Sequence, residues 1–145
     1  IPPILTVFRD RRQDPGVASG TGQPVSGNWL GTASTSKGAP IPTQIADKLR
    51  GRDFSSFNAF RRAFWKAVAN ESTIATQFTK INIIDMTKGL SPRADIADQI
   101  GKRQKIEIHH IIPISEGGAV YDISNLTLLT PKQHIATHSN KSEAP

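Results

Sequence analysis

Cysteine is absent from the 145 residues. That excludes a disulfide framework, and any metal site must be built without thiolate. Hydrophobic residues are few, at 37%, and no apolar run approaches the length of a membrane span. The start lacks the charged, apolar and small-residue pattern of a signal peptide. It also lacks a methionine, and Ile1-Pro2-Pro3 reads as the end of an upstream linker covering residues 1–8. The expectation is one domain, residues 1–145, cut from a longer protein. Glycine and proline are plentiful by contrast, 11 and 10, which predicts a loop-rich domain whose core is shared by a few helices and a short sheet. Eighteen basic residues against twelve acidic ones give a net charge of +6 and a pI of about 10.0. A polyanionic partner follows: nucleic acid first, then an acidic protein, then an anionic membrane. A basic protein that is merely soluble is the plain alternative.

Residues 1–8 are apolar and extended in expectation, and 9–14 carry three arginines. Pro15 to Asn28 is rich in Gly, Ser and Thr and reads as irregular. Trp29-Leu30 anchors it to the core. Pro40-Ile41-Pro42 opens a helix from Thr43 to Leu49, ended by Gly51. Asp53 to Phe57 reads as a turn. Ser56 to Asn70 is the clearest helix, because Phe57, Phe60, Phe64, Trp65 and Val68 recur at three- and four-residue steps. That stripe reads as core rather than as a base-stacking platform, with Arg61, Arg62 and Lys66 on the other faces. A further helix is expected from Glu71 to Thr79. Ile81 to Gly89 is ambiguous, and Arg93 to Ile100 forms a short helix or an ordered loop.

All four histidines fall in the last third: His109 and His110, then His134 and His138. Gln104 to Ile112 has strand-forming residues and stops at Pro113. Gly117-Gly118 makes a turn, and Asn125 to Leu129 is a second, antiparallel strand. Thr130 is an N-cap, Pro131 the first helical residue, and Gln133 completes a capping box with Thr130. His134 and His138 then project from one helix face. The product is a β-β-α unit over residues 103–140, and the fold class is α+β: an irregular, mainly helical domain ending in this unit.

Two histidines one helical turn apart chelate a borderline metal ion, and a third ligand from the strand leaves room for phosphate or water. His109 is that ligand and His110 the general base, its ordinary pKa suiting proton removal from water near neutrality. Strand neighbours point to opposite sides, so both can approach the helix only if the strand twists or ends there. Glu107 shares the side of His109 and can orient an imidazole. A structural zinc site with four histidine ligands is the alternative for this cluster.

The segment resembles the HNH motif, with His110, Asn125 and His134 in the named positions. More widely the chain resembles the C-terminal DNase domain of nuclease colicins and S-type pyocins. The likeness runs through Asp14-Pro15-Gly16 to Trp29-Leu30 and from Gly38 to Arg50. It continues through Phe54 to Trp65, Lys88-Gly89 and Ser91-Pro92, into the histidine segment. It implies a toxin domain, released from a producing bacterium, that cuts double-stranded DNA without sequence preference in the cytoplasm of a target bacterium. It implies His109, His134 and His138 as metal ligands, His110 as base, and Glu107 and Arg103 as supporting residues. Asn125 would steady the loop between the strands, and Arg12 would contact phosphate near the metal. Arg9, Arg11, Lys102 and Lys105 are the candidates for holding the DNA backbone. One divalent ion is expected, with zinc, nickel and cobalt favoured by three imidazoles and magnesium still able to support turnover. A small acidic immunity protein would dock roughly on residues 77–105, where Arg93 replaces an aromatic anchor of some relatives. A monomer is expected. The rival readings are an HNH nuclease of restriction or phage type, a zinc-stabilised DNA-binding module without chemistry, and an RNA substrate.

Overall fold

The helix from Phe57 to Asn70 is the spine against which the helices at Thr43–Leu49, Ser72–Ala75 and Lys80–Thr87 pack. A computed structural model describes residues 10–143, with side chains to 139; the expected extended segment 1–8 and Arg9 lie outside the described residues. Ser56 caps the spine, its hydroxyl accepting from the Ala59 N–H at 3.3 Å. Phe60, Phe64, Trp65 and Val68 are each 0% exposed. At roughly 1.5–3 kcal/mol per buried large side chain, this stripe is a main contribution to the core. Phe60 meets Phe54 edge-on at 5.3 Å and Trp65 lies 6.5 Å from Trp29, so the anchoring role read for Trp29 holds.

In chain order the helices are α1 (Thr43–Leu49), α2 (the spine, Phe57–Asn70), α3 (Ser72–Ala75), α4 (Lys80–Thr87) and α5 (Pro131–Glu143). The strands are β1 (Gly16–Val17), β2 (Asp53–Phe54), β3 (Glu107–His110) and β4 (Leu126–Leu129). They make two antiparallel pairs, β1 with β2 and β3 with β4. The fold is α+β.

Local differences from the sequence reading have local causes. The expected helix over Glu71–Thr79 is one turn, α3, because Thr79 starts a new helix by accepting from the Asn82 N–H at 3.3 Å. That helix, α4, resolves the ambiguous stretch. The residues read as irregular and as a turn each contribute a two-residue strand to the β1–β2 pair. Arg93 to Ile100 is an ordered loop with a 3-10 turn at Ile96–Asp98. Asn125 closes a 3-10 turn rather than opening β4, and β3 is shorter than Gln104–Ile112.

β3 pairs with β4 in the register Glu107↔Leu129, His109↔Thr127 and His110↔Leu126. The other edge of β4 is covered by Ala39, whose N–H and C=O both bond Leu128, at 2.9 and 2.8 Å. Thr127 Oγ1 donates to the Ala39 carbonyl at 3.0 Å. β4 is therefore buried along its whole length, and it forms a fixed floor for β3 and α5.

Thr130 caps α5, accepting from the Gln133 N–H at 3.2 Å. The capping box is half formed. The Thr130 N–H is already taken by the Ala33 carbonyl at 3.0 Å, so the Gln133 amide runs up the helix and donates to Thr137 at 3.1 Å.

Candidate metal centre

His109 on β3 and His134 and His138 on α5 each offer a ligand atom, and these atoms all lie within 4.8 Å of one another. The ring centroids are 4.8 to 5.4 Å apart. The helix supplies two imidazoles because Thr130 and Pro131 set its start, and the strand supplies the third because β3 is held in register on β4. An ion bound at about 2.1 Å keeps tetrahedral ligand atoms ~3.4 Å apart, so the three rings need only a small inward adjustment.

Glu107 lies two residues before His109, on the same side of the strand. Its Oε1 accepts from His134 Nδ1 at 2.7 Å. A carboxylate can only accept, so Nδ1 carries the hydrogen and the Nε2 lone pair of His134 is directed away from it. The donor set and this tautomer both fit a divalent cation. Arg103 joins from the preceding loop, donating through Nε to Glu107 Oε2 at 2.9 Å and through Nη2 to Oε1. Burial pushes the Glu107 carboxyl up, but the hydrogen bonds from His134 and Arg103 outweigh it and lower the pKa to about 2.

His110 is the last residue of β3 and is not among the three converging imidazoles. Its ring leans on Phe57, with centroids 4.7 Å apart, and its Nε2 donates to the Val120 carbonyl at 3.0 Å. The lone pair of the neutral ring therefore sits on Nδ1. Burial holds its pKa below the ordinary histidine value; the bond to Val120 opposes this, and the charges of Arg12, Arg11 and His134 add to the lowering. The tension over adjacent histidines resolves at the strand end. His110 still reaches the cleft that Glu107 and His134 line.

Asn125 is 7% exposed. Its Nδ2 donates to the Ile112 and Ala119 carbonyls, both at 3.1 Å, and its Oδ1 accepts from the Ile112 N–H at 2.8 Å. It ties the two ends of the loop between β3 and β4. Gly118 packs there so closely that a Cβ would lie 1.8 Å from the Ile112 oxygen.

The cleft beside the histidines has a volume of about 820 Å³. Arg12, Lys102, Arg103 and Lys105 line it, as do Arg61 and Arg62 of α2. Arg12 is held by Asp10, donating from Nε and Nη2 at 3.0 Å each. Arg11 does not line the cleft; its Nη2 is directed at two carbonyls of the β3–β4 loop. Arg93 is exposed, and its backbone N–H donates to Asn82 at 3.1 Å.

Sequence reasoning missed the Val120 carbonyl, the Phe57 wall and the cleft-facing side of Arg61 and Arg62. No local pattern reports which carbonyl a distant imidazole finds. It also missed exposed apolar side chains in residues 77–105: Ile81 at 67%, Ile84 at 46% and Ile96 at 87%. Their signal was there, as isoleucines that fit no periodic stripe.

The family model described as the colicin/pyocin-S2 DNase domain matches residues 16–140. The chain belongs to this DNase-domain family. It is 52% identical to pyocin-S2 of Pseudomonas aeruginosa over 138 residues, covering 95% of the chain and 20% of that protein. Pyocin-S1 of the same species is 51% identical, with 95% and 22% covered. Colicin-E8 of Escherichia coli is 47% identical over 124 residues, 86% of the chain and 60% of that protein. The chain thus spans about a fifth of the length of the two pyocins. Among solved structures, the pyocin AP41 DNase–immunity complex superposes with a TM-score of 0.84 at 45% identity, covering 89% of this chain and 96% of that one. The mutant nuclease domain of pyocin S8 with its cognate immunity protein gives 0.83 at 55%, covering 85% and 98%. Among the described residues no helix of the DNase domain is long and apolar enough to cross a membrane.

Proposed function

We propose that the chain is a metal-dependent HNH endonuclease that hydrolyses DNA phosphodiesters without sequence preference and serves as the killing domain of a bacteriocin. The observation that carries this reading is the division of labour among the histidines. Three imidazoles converge, while His110 stands beside them with Nε2 engaged on the Val120 carbonyl and its lone pair on Nδ1.

His109, His134 and His138 hold a divalent cation, with Glu107 orienting His134 and Arg103 orienting Glu107. Bound there, the ion supplies Lewis-acid stabilisation of charge at the scissile phosphate. His110 takes a proton from the attacking water at Nδ1; burial, which lowers its pKa, favours the neutral ring that a base needs. Arg12 turns from Asp10 toward the phosphate and offsets growing negative charge. Lys102, Lys105, Arg61 and Arg62 hold the backbone along the cleft. Backbone contacts carry no base information.

A small acidic immunity protein would dock on residues 77–105, which carry six basic residues against three acidic ones. The exposed Ile81, Ile84 and Ile96 supply apolar anchors there, with Arg93 among them. The setting is release from a producing cell and action, as a monomer, in the cytoplasm of a target bacterium.

The test is nicking of supercoiled plasmid with zinc, nickel, cobalt or magnesium, with and without EDTA, and RNA offered in parallel. Metal-dependent nicking that His110→Ala loses is expected. DNA binding with no cleavage under any of these metals would leave a zinc-stabilised binding module instead.

A further inference from the structure

We propose that Arg11 is a positioning residue for cleavage, pinning the β3–β4 loop to the turn that carries Arg12 so that His110 and Arg12 meet one phosphate in fixed geometry. The proposal rests on the nuclease reading above. It takes Arg11 out of the DNA-contacting set in which the basic N-terminal run had placed it.

Three successive carbonyls of the loop each receive a different side chain. Gly118 O accepts from Arg11 Nη2 at 2.9 Å, Ala119 O from Asn125 Nδ2 at 3.1 Å, and Val120 O from His110 Nε2 at 3.0 Å. Arg11 Nη2 also donates to Ile114 O at 2.7 Å. One planar guanidinium thus spans the loop from Ile114 to Gly118. It stands 107 positions from Gly118 in the chain, so the tie is wholly tertiary.

The same turn is fixed at its other end. Tyr121 Oη donates to the Asp14 carbonyl at 2.5 Å, and the Tyr121 ring lies 6.1 Å from Phe57, the wall of His110. The 3-10 turn Arg11–Gln13 is therefore clamped to the loop before and after Arg12. Arg12 lines the cleft and Arg11 does not, so of the two arginines Arg12 is the one placed to meet a phosphate there. Orienting groups matter because an error of about 1 Å at a reacting centre costs up to roughly a hundredfold in rate.

The experiment compares wild type, Arg11→Ala, Arg11→Lys and His110→Ala on plasmid DNA at saturating metal. Amide hydrogen exchange of residues 117–121 and the salt dependence of DNA binding are measured alongside. Arg11→Ala should lower kcat by about tenfold or more with KM changed less than about threefold. It should speed exchange in the loop and leave the slope of log affinity against log salt unchanged. Arg11→Lys, which keeps a cationic donor on a shorter side chain without the planar guanidinium, should fall between, and it carries the test if Arg11→Ala does not fold. An unchanged kcat with a slope shallower by about 0.9 would make Arg11 a phosphate contact and overturn the proposal. Unchanged kcat, exchange and slope would overturn it too. If His110→Ala cleaves like wild type while loop exchange still depends on Arg11, the base assignment fails and the clamp stands.

Discussion

Glu107 and His134 stand 27 positions apart in the chain and are joined by a 2.7 Å hydrogen bond that ties strand to helix. This bond sets which nitrogen of His134 can face a cation, and Arg103 holds the carboxylate in place behind it.

Glu107→Gln should therefore weaken metal binding by about 10–100-fold, the usual cost of losing an orienting partner. Calorimetric titration of zinc into the apo-protein measures it. Affinity equal to wild type would mean that His134 needs no orientation.

The same carboxylate predicts a pH dependence. Its pKa is about 2 in the fold against an ordinary 4.5. A depressed carboxyl favours the folded state while ionised. The stabilisation is complete above about pH 4.5, decays as pH falls toward 2, and is gone below it. At about 1.4 kcal/mol per unit it amounts to at most roughly 3–4 kcal/mol. Urea melts of apo wild type and Glu107→Gln should differ most near pH 6 and converge near pH 2. A gap that stays constant with pH would contradict the assignment.

His134→Ala and His110→Ala should separate cleanly. The first loses a ligand, and with it most of the rise in Tm on adding metal. The second keeps metal affinity within about threefold but loses roughly 10²–10⁴ in kcat, the usual contribution of a general base. Equal metal affinity in His134→Ala, or normal turnover in His110→Ala, would reject the corresponding role.

Asn125→Ala removes three hydrogen bonds from a buried site and leaves the Ile112 and Ala119 carbonyls without that donor. A loss of about 2–4 kcal/mol is expected, read as a lower denaturation midpoint at unchanged m-value. Asn125→Asp keeps the acceptor for Ile112 N–H but loses both donors, so it should not restore stability. A midpoint within error of wild type for Asn125→Ala would show that the loop does not depend on this amide.

Much of the site was legible in the order of residues because helix and strand geometry are local. Four-residue spacing puts His134 and His138 on one helix face, Thr130-Pro131 begins that helix, and alternation puts Glu107 on the side of His109. The spine was legible for the same reason, since an aromatic recurring every three or four residues has one way to be buried. Helix α4 was not, because its apolar residues are split between the core, as at Met86, and exposed positions, as at Ile81 and Ile84. A surface left apolar carries no helical period.

The residue order by itself determined the chemistry available: four imidazoles, no thiol, an excess of positive charge and a β-β-α unit to mount the imidazoles on. Tertiary structure decided where those groups are placed. It put Val120 O on His110, set Arg11 on Gly118 and Ile114 while Arg12 was left at the cleft, and opened that cleft against Arg61 and Arg62. Each of these depends on pairing groups far apart in the chain. Which donor meets which acceptor is set by how the packed elements exclude water around them, and short-range propensity does not encode it.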